Sequence, residues 1–469
     1  QTRPVKILQF GKGNFLRAFA DWMIDIANEK TDFNGAIQIV QTNSRDLDQR
    51  FHDQEGLYHV VINGIQHGQL LTETRLITCV ADLINPYGDY HTFLRAGENP
   101  DLQFIISNTT EAGIKFDPGD SHPEIPAESF PGKLTSLLYH RYKFFSGDRK
   151  KGLTILPCEL IEKNGESLRE IILQYIALWR LEEGFKGWVY EHNLFCNTLV
   201  DRIVPGFPKE NISKIWDSTG FEDHLVVTAE PFHLFLIEPV GNQEKAFGKL
   251  RSTLPLEQAG LNVKFVNDIA PYRISKVRIL NGAHTAMVPV GYLRGLRTVQ
   301  EVIEDPFTGD FIHEVIGEEI LPTLDLPPEE LRKFAADVME RFRNPFIRHE
   351  LKSIALNSIS KFQVRVLPTI LEYIRQNNKL PKRLLYSFAA LILFYKGEWR
   401  GETIQLNDTP EVLGFFKKAW NHADISTVVS QVLSHQAFWQ TDLTKIDGLT
   451  EVVERHLNEI TQIERHDKR

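Results

Sequence analysis

Short apolar runs and helix-like spacing alternate along the first forty residues. Residues 5–10 (VKILQF) are mainly apolar and are followed by a glycine-containing turn at residues 11–14. Beyond the turn, large apolar side chains recur three or four positions apart, at Phe15, Phe19, Trp22 and Ile26. Residues 36–41 (AIQIVQ) return to a strand-like pattern. This order predicts a strand, a helix and a second strand.

Two later apolar runs extend the pattern, at residues 102–106 (LQFII) and 153–160 (LTILPCEL). Short strands separated by helical segments are typical of a mainly parallel sheet that helices cover on both faces. In such sheets, ligands bind beyond the carboxyl ends of the strands. We therefore predict an α/β fold whose N-terminal domain, residues 1–268, is Rossmann-like.

The pattern changes near residues 268–271. From there on, amphipathic stretches dominate, separated by proline or glycine: 299–320, 328–343, 352–376, 383–394, 410–422 and 449–465. Apolar residues at helical spacing between such breaks predict helices. Residues 269–469 are therefore predicted to form a mostly α-helical C-terminal domain that carries substrate-binding and catalytic residues.

Composition and charge narrow the classes of partner. The chain has 469 residues, and 53 Lys and Arg against 62 Asp and Glu give a net charge of −9 with no basic block. Nucleic-acid binding requires clustered positive charge, so we exclude nucleic acid as a partner. The longest apolar run, residues 384–395, is shorter than the ~20 residues that span a bilayer, so we predict no membrane span. A small molecule is the expected partner.

The three cysteines, Cys79, Cys158 and Cys196, lie far apart in the chain, and none belongs to a C-x-x-C pair. This spacing predicts neither a disulfide framework nor a structural zinc site. No H-E-x-x-H motif or Cys/His cluster offers metal ligands either. We expect a protein of a reducing compartment, the cytoplasm, with no bound metal.

The turn after the first strand is half of a dinucleotide-binding fingerprint. Its glycines permit close backbone approach, and the helix that follows offers N–H groups to a pyrophosphate. Leu16 occupies the slot of the usual third glycine, and Arg17 adds a positive charge. Taken alone, the turn fits an ordinary strand-to-helix connection equally well. The cofactor-binding residues predicted here are Phe10, Gly11, Lys12, Gly13, Asn14, Phe15, Leu16 and Arg17.

The acid that usually ends the second strand and binds the ribose hydroxyls is missing. Residues 41–45 (QTNSR) stand there, and Asp46 comes late. Arg45 favours a 2′-phosphate, but a single loop arginine is more often solvated, so NAD is predicted ahead of NADP. Asn108, in the loop 107–113 (SNTTEAG), is a further cofactor-binding candidate. Capping of the next helix by the same polar residues is the simpler interpretation of this loop.

Residues 276–284 (KVRILNGAH) carry the strongest chemical signal. On an α-helix with ~100° per residue, Asn281 lies about 140° and His284 about 80° from Lys276, so one pocket can hold all three side chains. A desolvated lysine can exchange a proton with an alcohol near neutral pH, and an asparagine amide can stabilise oxyanion charge. Spacing alone favours a simpler alternative, in which the lysine extends to solvent and the histidine belongs to the core.

The K-x4-N-x2-H spacing of Lys276, Asn281 and His284 resembles the signature of the mannitol dehydrogenase family of polyol-specific long-chain dehydrogenases. The family's GxGxFxRA turn aligns with residues 11–18, and its asparagine before a VDRI segment aligns with Asn197. Longer segments, such as SNTTEAGI, PCELIEKNG and ILNGAHTAMVPVG, resemble a branch of the family that acts on hexuronic acids. The similarity extends over nearly the whole chain.

The resemblance implies a zinc-independent, NAD-linked secondary alcohol dehydrogenase. It implies Lys276 as base for oxidation and acid for reduction, Asn197 and Asn281 as an oxyanion hole, and His284 as the residue that orients the substrate. The hydride is exchanged with the nicotinamide. The expected reaction interconverts D-tagaturonate and D-altronate in hexuronate catabolism. Fructuronate reduction, mannitol-type polyol oxidation and an idle NAD-binding sensor are the alternatives.

One departure from the family concerns the substrate. Polyol-oxidising relatives carry an arginine eight residues before a lysine in a D-G-S-x-K-like segment, whereas here Ser353 stands at that distance before Lys361. A sugar acid needs a cation for its carboxylate. The substrate-binding candidates are Arg348, His349, Lys361 and Arg365. Each of them fits an exposed helix charge equally well.

Overall fold

A computed structural model gives the fold and describes residues 3–42, 45–109, 113–422 and 424–467. The chain divides into two compact units. The first comprises Gln1–Gly64 and Leu70–Ile269, and the second comprises Ile65–Gln69 and Ala270–Arg469. Apart from the short segment Ile65–Gln69, the division therefore falls between residues 269 and 270.

The first unit is built on two sheets. Its strands are β1 (Val5–Phe10), β2 (Ala36–Val40), β3 (Tyr58–Gln66), β4 (Gln69–Ile77), β5 (Val80–Ile84), β6 (Phe104–Ser107), β7 (Thr154–Pro157), β8 (Leu194–Asp201), β9 (Val227–Ala229), β10 (Leu234–Pro239) and β11 (Val263–Phe265). The larger sheet has eight strands in the order β11-β10-β8-β7-β6-β1-β2-β5, and the smaller sheet has the order β4-β3-β9.

The larger sheet is parallel except where β8 meets β10. In its centre, Phe10 pairs with Val40 on one side and with Ser107 on the other. The carboxyl ends of β1, β2 and β6 are therefore level, and the residues that follow them, Gly11, Gln41 and Asn108, leave the sheet side by side. The prediction of a mainly parallel, Rossmann-like sheet is confirmed.

Helices cover both faces of this sheet. The helices of the first unit are α1 (Asn14–Leu16), α2 (Trp22–Lys30), α3 (Gln49–Asp53), α4 (Tyr90–Arg95), α5 (Phe130–Phe144), α6 (Asn164–Leu178), α7 (Glu183–His192), α8 (Ile212–Thr219) and α9 (Glu244–Thr253). Successive strand residues alternate between two cores, because Ile7 packs with the α2 side and Leu8 with the α5 side. Strands buried on both faces explain why VKILQF reads as a nearly continuous apolar run.

The second unit is mostly helical, as predicted. Its elements are α10 (Ala270–Lys276), α11 (Ala283–Leu293), α12 (Val299–Glu304), α13 (Pro306–Glu314), α14 (Pro328–Phe342), α15 (Leu351–Ile354), α16 (Ser358–Arg365), α17 (Leu367–Asn377), α18 (Lys382–Phe394), the hairpin β12 (Glu398–Trp399) and β13 (Glu402–Thr403), α19 (Pro410–His422), α20 (Ile425–Leu433), α21 (Gln436–Trp439) and α22 (Leu449–Asp467). Helix α18 is apolar on nearly every side and is buried in the core.

Two predicted long helices are broken in the structure. The stretch 299–320 breaks at Asp305, whose carboxylate accepts a hydrogen bond from the Thr308 N–H and caps α13. The stretch 352–376 breaks at Asn357, whose positive φ of 51° ends the run before α16 begins. Apolar periodicity continues through both breaks, so spacing alone does not reveal them. In the part of the chain that the structure describes, no helix is long and apolar enough to cross a membrane.

Two π-helical turns lie in the helices that carry the predicted site residues. Arg17–Asp21 separates α1 from α2, and Val277–Gly282 separates α10 from α11. In a π turn the backbone bonds run from residue i to i+5, so the turn holds one more residue than an α-helical turn. Such turns are frequent at functional sites, and the α-helical spacing assumed for the sequence did not predict them.

The first π turn carries a buried acid, Asp21, which is fully inaccessible to solvent. The Tyr58 hydroxyl donates a hydrogen bond of 2.6 Å to its Oδ2. Its Oδ1 makes no hydrogen bond with any residue that the structure describes. Burial raises the pKa of Asp21 to about 7, against the opposing effects of Tyr58 and Arg17. The carboxyl is therefore neutral in mildly acidic solution.

Replacing this acid should flatten the pH dependence of stability. An unfolded aspartate has a pKa of ~3.9, so from about pH 4 to 7 the folded chain holds a proton that the unfolded chain releases. The resulting stabilisation is complete below about pH 4 and is lost as the pH rises through about 7. Asp21→Asn should therefore show a smaller fall in melting temperature than wild type between about pH 5 and 8. Exposed Asp32→Asn is the control, and equal slopes for Asp21→Asn and wild type would contradict the expectation.

Candidate functional site

The turn after β1 is packed so tightly that only glycine fits at its first position. Gly11 has a φ of +116°, and a Cβ atom there would lie 2.7 Å from the backbone oxygen of Asn108. The Gly11 N–H donates to the Val40 oxygen at 3.0 Å, and the Asn108 N–H donates to the Phe10 oxygen at 3.2 Å. These contacts join the ends of β1, β2 and β6. A ligand can approach the backbone closely at such a turn.

Gly13 is the N-cap of α1, and its oxygen accepts a hydrogen bond from the Arg17 N–H at 3.3 Å. A pocket of about 440 Å³ opens at this turn. It is lined by Gly11, Lys12, Gly13, Asn14, Phe15, Arg17, Thr42, Asp48, Arg50, Phe51, Asn108 and Thr109. Most residues predicted for the cofactor therefore lie on one surface. The exceptions are Phe10 and Leu16, whose side chains lie in the core.

Arg17 uses its guanidinium to hold the turn in place. Its Nε donates to the Lys12 oxygen at 3.2 Å, one terminal nitrogen donates to Asn14 Oδ1 at 2.7 Å, and the other donates to the Leu225 oxygen. The side chain is only 6% exposed, and burial lowers its pKa. Arg17 thus lines the pocket while its hydrogen bonds fix the backbone of the turn.

The structure supplies an acid that the sequence interpretation missed. Asp48 reaches the pocket and forms an ion pair of 2.5 Å with Lys12, and Arg50 donates to both of its carboxylate oxygens at 2.8 and 2.7 Å. The hydrogen bonds from Arg50, and after them the contacts with Lys12, hold the pKa of Asp48 below its usual range. Gln41 accepts a hydrogen bond from the Asp48 N–H and is completely buried.

Asp48 was not predicted from the sequence because a loop separates it from β2, whereas the acid expected at this site stands directly after the strand. Residues Asn43 and Ser44 of this loop lie outside the described residues. In the sequence, Asp48 appears only as an acid followed two positions later by an arginine. Such pairs are common on protein surfaces and do not by themselves indicate a cofactor site. Only the fold shows that its carboxylate turns back toward Lys12.

The loop after β6 is held by a buried glutamate. Ser107 Oγ and the Thr109 N–H and Oγ1 donate to the Glu159 carboxylate at 2.9 to 3.1 Å, and Asn108 Nδ2 donates to the Cys158 oxygen at 2.7 Å. Burial raises the pKa of Glu159. The interpretation of this loop as a helix cap is wrong, because the next helix, α5, is capped by Ser129. Thr110, Glu111 and Ala112 lie outside the described residues.

Asn197 lies on β8 and is buried, with its carboxamide fixed at both ends. Its Oδ1 accepts a hydrogen bond from the Glu166 N–H at 3.0 Å, and its Nδ2 donates to Glu238 Oε2 at 3.0 Å. Glu238 pairs with Asn197 in the register of β8 and β10, and its Oε1 accepts from the Ile269 N–H at 3.3 Å. This arrangement orients the amide NH₂, which has two N–H donors, and Glu238 uses one of them.

Lys276, Asn281 and His284 are brought together on one helix by the second π turn. Lys276 ends α10, Asn281 lies in the π turn, and His284 is the second residue of α11. All three side chains are half-buried. Because residues five apart are linked in a π turn, Asn281 lies closer to the Lys276 face than the 140° of an α-helix implies.

His284 has one ring nitrogen that is buried. Its ring packs on Phe342 with centroids 4.5 Å apart, and on His349 at 4.9 Å. Nε2 makes no hydrogen bond with any described residue. Burial, followed by the positive charges of His349, Arg341 and Arg365, lowers the pKa of His284 well below its usual value. The imidazole is therefore neutral and can hydrogen-bond a ligand through Nε2.

The four substrate-binding candidates do not share one environment. His349 packs on His284, and Lys361 donates to the Ile354 oxygen at 2.8 Å. Arg365 is half-buried and acts electrostatically on His284. By contrast, the Arg348 side chain is 80% exposed and pairs with Glu350 at 2.6 Å. Sequence reasoning also missed Arg341, a buried residue that acts electrostatically on His284.

Two models of known protein families match nearly the whole chain. The Mannitol dehydrogenase Rossmann domain matches residues 5–247, and the Mannitol dehydrogenase C-terminal domain matches residues 268–461. The altronate oxidoreductase of Bacillus subtilis (strain 168) is 48% identical over 465 residues, which cover 98% of this chain and 93% of that protein. The altronate oxidoreductase of Phocaeicola vulgatus is 46% identical over 462 residues, covering 98% and 95%.

A solved structure shares the fold. Substrate-free D-sorbitol dehydrogenase superposes with a TM-score of 0.80 at 22% identity, covering 98% of this chain and 94% of that chain. Fold and family models together define a two-domain protein with a Rossmann domain followed by a helical C-terminal domain. The chain belongs to the mannitol dehydrogenase family. The resemblance read from its motifs is thereby confirmed.

The contact between Gly11 and Asn108 can be tested by adding one methyl group. Gly11→Ala should lower the free energy of unfolding by about 2 kcal/mol or more, since the positive φ is strained for alanine and the new Cβ meets a backbone oxygen. Gly13→Ala is the matched control, because a Cβ there has nothing within 4 Å and the backbone φ is −64°. Urea unfolding measures both, and similar stabilities of the two variants would refute the close contact.

Proposed function

We propose that this protein is an NAD-dependent oxidoreductase that interconverts D-tagaturonate and D-altronate in hexuronate catabolism. The observation that carries the proposal is the 48% identity to an altronate oxidoreductase over 98% of the chain. The candidate site adds chemistry suited to a secondary alcohol. Three buried free thiols, Cys79, Cys158 and Cys196, support the cytoplasm as its compartment.

The Gly11 turn is suited to hold the dinucleotide. The space beside Gly11 would be filled by a Cβ atom, and it adjoins a pocket of about 440 Å³. Both features allow the close approach to the backbone that pyrophosphate binding requires. Gly11, Gly13 and Asn14 would hold the pyrophosphate, while Asn108 and Thr109 would hold the part of the cofactor near the end of β6. When bound, NAD supplies the hydride acceptor for oxidation, and NADH supplies the donor for reduction.

Asp48 favours NAD over NADP. Its carboxylate lies in the pocket, where it would repel a 2′-phosphate and can accept hydrogen bonds from ribose hydroxyls. Lys12 and Arg50 would attract a phosphate, but both are already paired with Asp48. Asp48 therefore disfavours a 2′-phosphate in two ways: its own charge repels the phosphate, and its ion pairs occupy Lys12 and Arg50.

Lys276, Asn281 and His284 would serve the reacting alcohol or ketone. Lys276 takes the hydroxyl proton during oxidation and returns a proton to the oxygen during reduction. Asn281 donates an N–H group to the oxygen as negative charge develops on it. The role of Asn197 in the oxyanion hole remains a prediction from the family resemblance. His284, neutral and with Nε2 unpartnered among the described residues, accepts or donates a hydrogen bond that orients the substrate.

Steady-state kinetics test the substrate assignment. We expect NADH-dependent reduction of tagaturonate with a kcat/KM at least about 10-fold above the values for reduction of fructuronate, reduction of fructose and oxidation of mannitol. A difference of about 1.4 kcal/mol in selective binding gives this factor. A preference for mannitol or fructuronate would refute the assignment. Absence of turnover with all four compounds would point to a sensor instead of an enzyme.

Removing the proposed base tests its role. Lys276→Ala should lower kcat by roughly 10²- to 10⁴-fold, the range of general acid–base catalysis, while NADH affinity stays within about 3-fold of wild type. Lys352→Ala, at an exposed position of the second unit, is the control and should keep wild-type turnover. Full activity of Lys276→Ala, or equal losses in both variants, would rule out this assignment.

Cofactor preference should depend on Asp48. Asp48→Asn removes the carboxylate and releases Lys12 and Arg50, so the ratio of kcat/KM for NADH to that for NADPH should fall by roughly 10-fold or more. Asp53→Asn, an exposed residue of α3, is the matched control and should retain the wild-type ratio. An unchanged ratio in Asp48→Asn would exclude Asp48 as the selecting residue.

A further inference from the structure

Arg365 is the last residue of α16, and it lies directly against the π turn that carries Asn281. A Cβ atom on Gly282 would lie 3.1 Å from the Arg365 backbone oxygen. A side chain at position 282 would require the end of α16 to move by a few tenths of an ångström. It fixes the end of α16 beside the same helix that positions Lys276 and His284.

The Arg365 guanidinium has no counter-ion within residues 3–42, 45–109, 113–422 and 424–467. It forms no hydrogen bond or ion pair with any residue that the structure describes, although the residue is half-buried. Several other buried or half-buried arginines, among them Arg17, Arg141, Arg202 and Arg278, donate to an oxygen of the protein. A partly desolvated guanidinium gains from pairing with an anion, so a ligand carboxylate can bind to Arg365.

Arg365 and Lys361 carry like charges on α16. Burial, followed by repulsion from Arg365, lowers the pKa of Lys361. Arg365 and Arg341 both act on His284. The acid that acts on Lys361 is Asp408, which also accepts a hydrogen bond from Tyr395. For Arg365, burial alone accounts for a lowered pKa, with no opposing effect of a carboxylate.

We propose that Arg365 binds the substrate carboxylate and is the residue that selects a sugar acid over a neutral ketose. This inference rests on the proposed function and names the cation of the same site. A planar guanidinium presents two parallel N–H groups to two carboxylate oxygens, which a neutral hydroxymethyl group cannot match. Lys361 adds positive charge beside it, while Arg348 is already paired with Glu350 and stands in solvent.

The position of the carboxylate in the substrate agrees with this role. In a ketohexuronate the carboxylate lies at the far end of the carbon chain from the carbon that exchanges hydride. The π turn with Asn281 and the end of α16 with Arg365 are adjacent elements. The reacting end and the charged end of one molecule therefore have separate polar partners within the second unit.

A comparison of two ketoses tests the proposal. D-Tagatose carries a hydroxymethyl group where tagaturonate carries the carboxylate, so the ratio of their kcat/KM values isolates recognition of the charge. Arg365→Gln should lower kcat/KM for tagaturonate by roughly 10- to 100-fold, mainly through KM, as expected for loss of a charge-assisted hydrogen-bonded pair. Its kcat/KM for D-tagatose should stay within about 2-fold of wild type or rise.

Two further variants keep the test decisive. Arg365→Lys retains the charge without the fork and should give a KM for tagaturonate between those of wild type and Arg365→Gln. Arg375→Gln removes an exposed arginine that pairs with Glu372 and should leave both substrates unaffected. Melting temperatures within about 3 °C of wild type establish that the variants are folded.

The outcomes separate this inference from the proposed function. If wild type reduces tagaturonate but Arg365→Gln keeps the wild-type ratio between the two ketoses, Arg365 does not select the carboxylate. Equal losses for tagaturonate and D-tagatose also overturn the inference, because they indicate a general role in the fold or in chemistry. If wild type does not reduce tagaturonate at all, the proposed function itself fails.

Discussion

The close contact between Gly11 and the backbone of Asn108 is the constraint on which the first site depends. It sets the distance between the ends of β1 and β6, and the register with β2 brings a third chain end to the same level. Arg17 secures the turn, and Glu159 secures the loop after β6. The pocket is therefore formed by backbone geometry that side chains elsewhere hold in place.

The second unit follows a different principle, because its candidate site combines a neutral histidine with Arg365, which pairs with no residue that the structure describes. His284 follows the π turn and Arg365 lies beside it, while the nearby acid Asp408 accepts a hydrogen bond from Tyr395. Hydrophobic packing of α11 and α18 supplies the stability that tolerates this arrangement. The unfavourable placement of these groups is a cost that substrate binding can offset.

Much of the fold could be predicted from the sequence, and the reasons for the remainder are physical. The strand at residues 5–10 and the helix at 410–422 were predicted to the residue, because apolar pattern and flanking breaks agree there. The Lys276, Asn281 and His284 set was visible as spacing. Asp48 and Arg341 were missed, because which charge reaches which site depends on contacts between segments far apart in the chain. The breaks at Asp305 and Asn357 were missed since apolar periodicity runs through them.

The π turn at Val277–Gly282 has a consequence for the alignment of the proposed base and the histidine. A π turn accommodates one residue more than an α-helical turn, so it compensates for the rotation of about 100° that the extra residue would otherwise cause. His284, eight positions after Lys276, therefore lies near the angle of a seventh α-helical position, about 20° from Lys276, whereas an uninterrupted α-helix would place it about 80° away. The widened turn thus aligns the two side chains more closely than their spacing in the sequence implies.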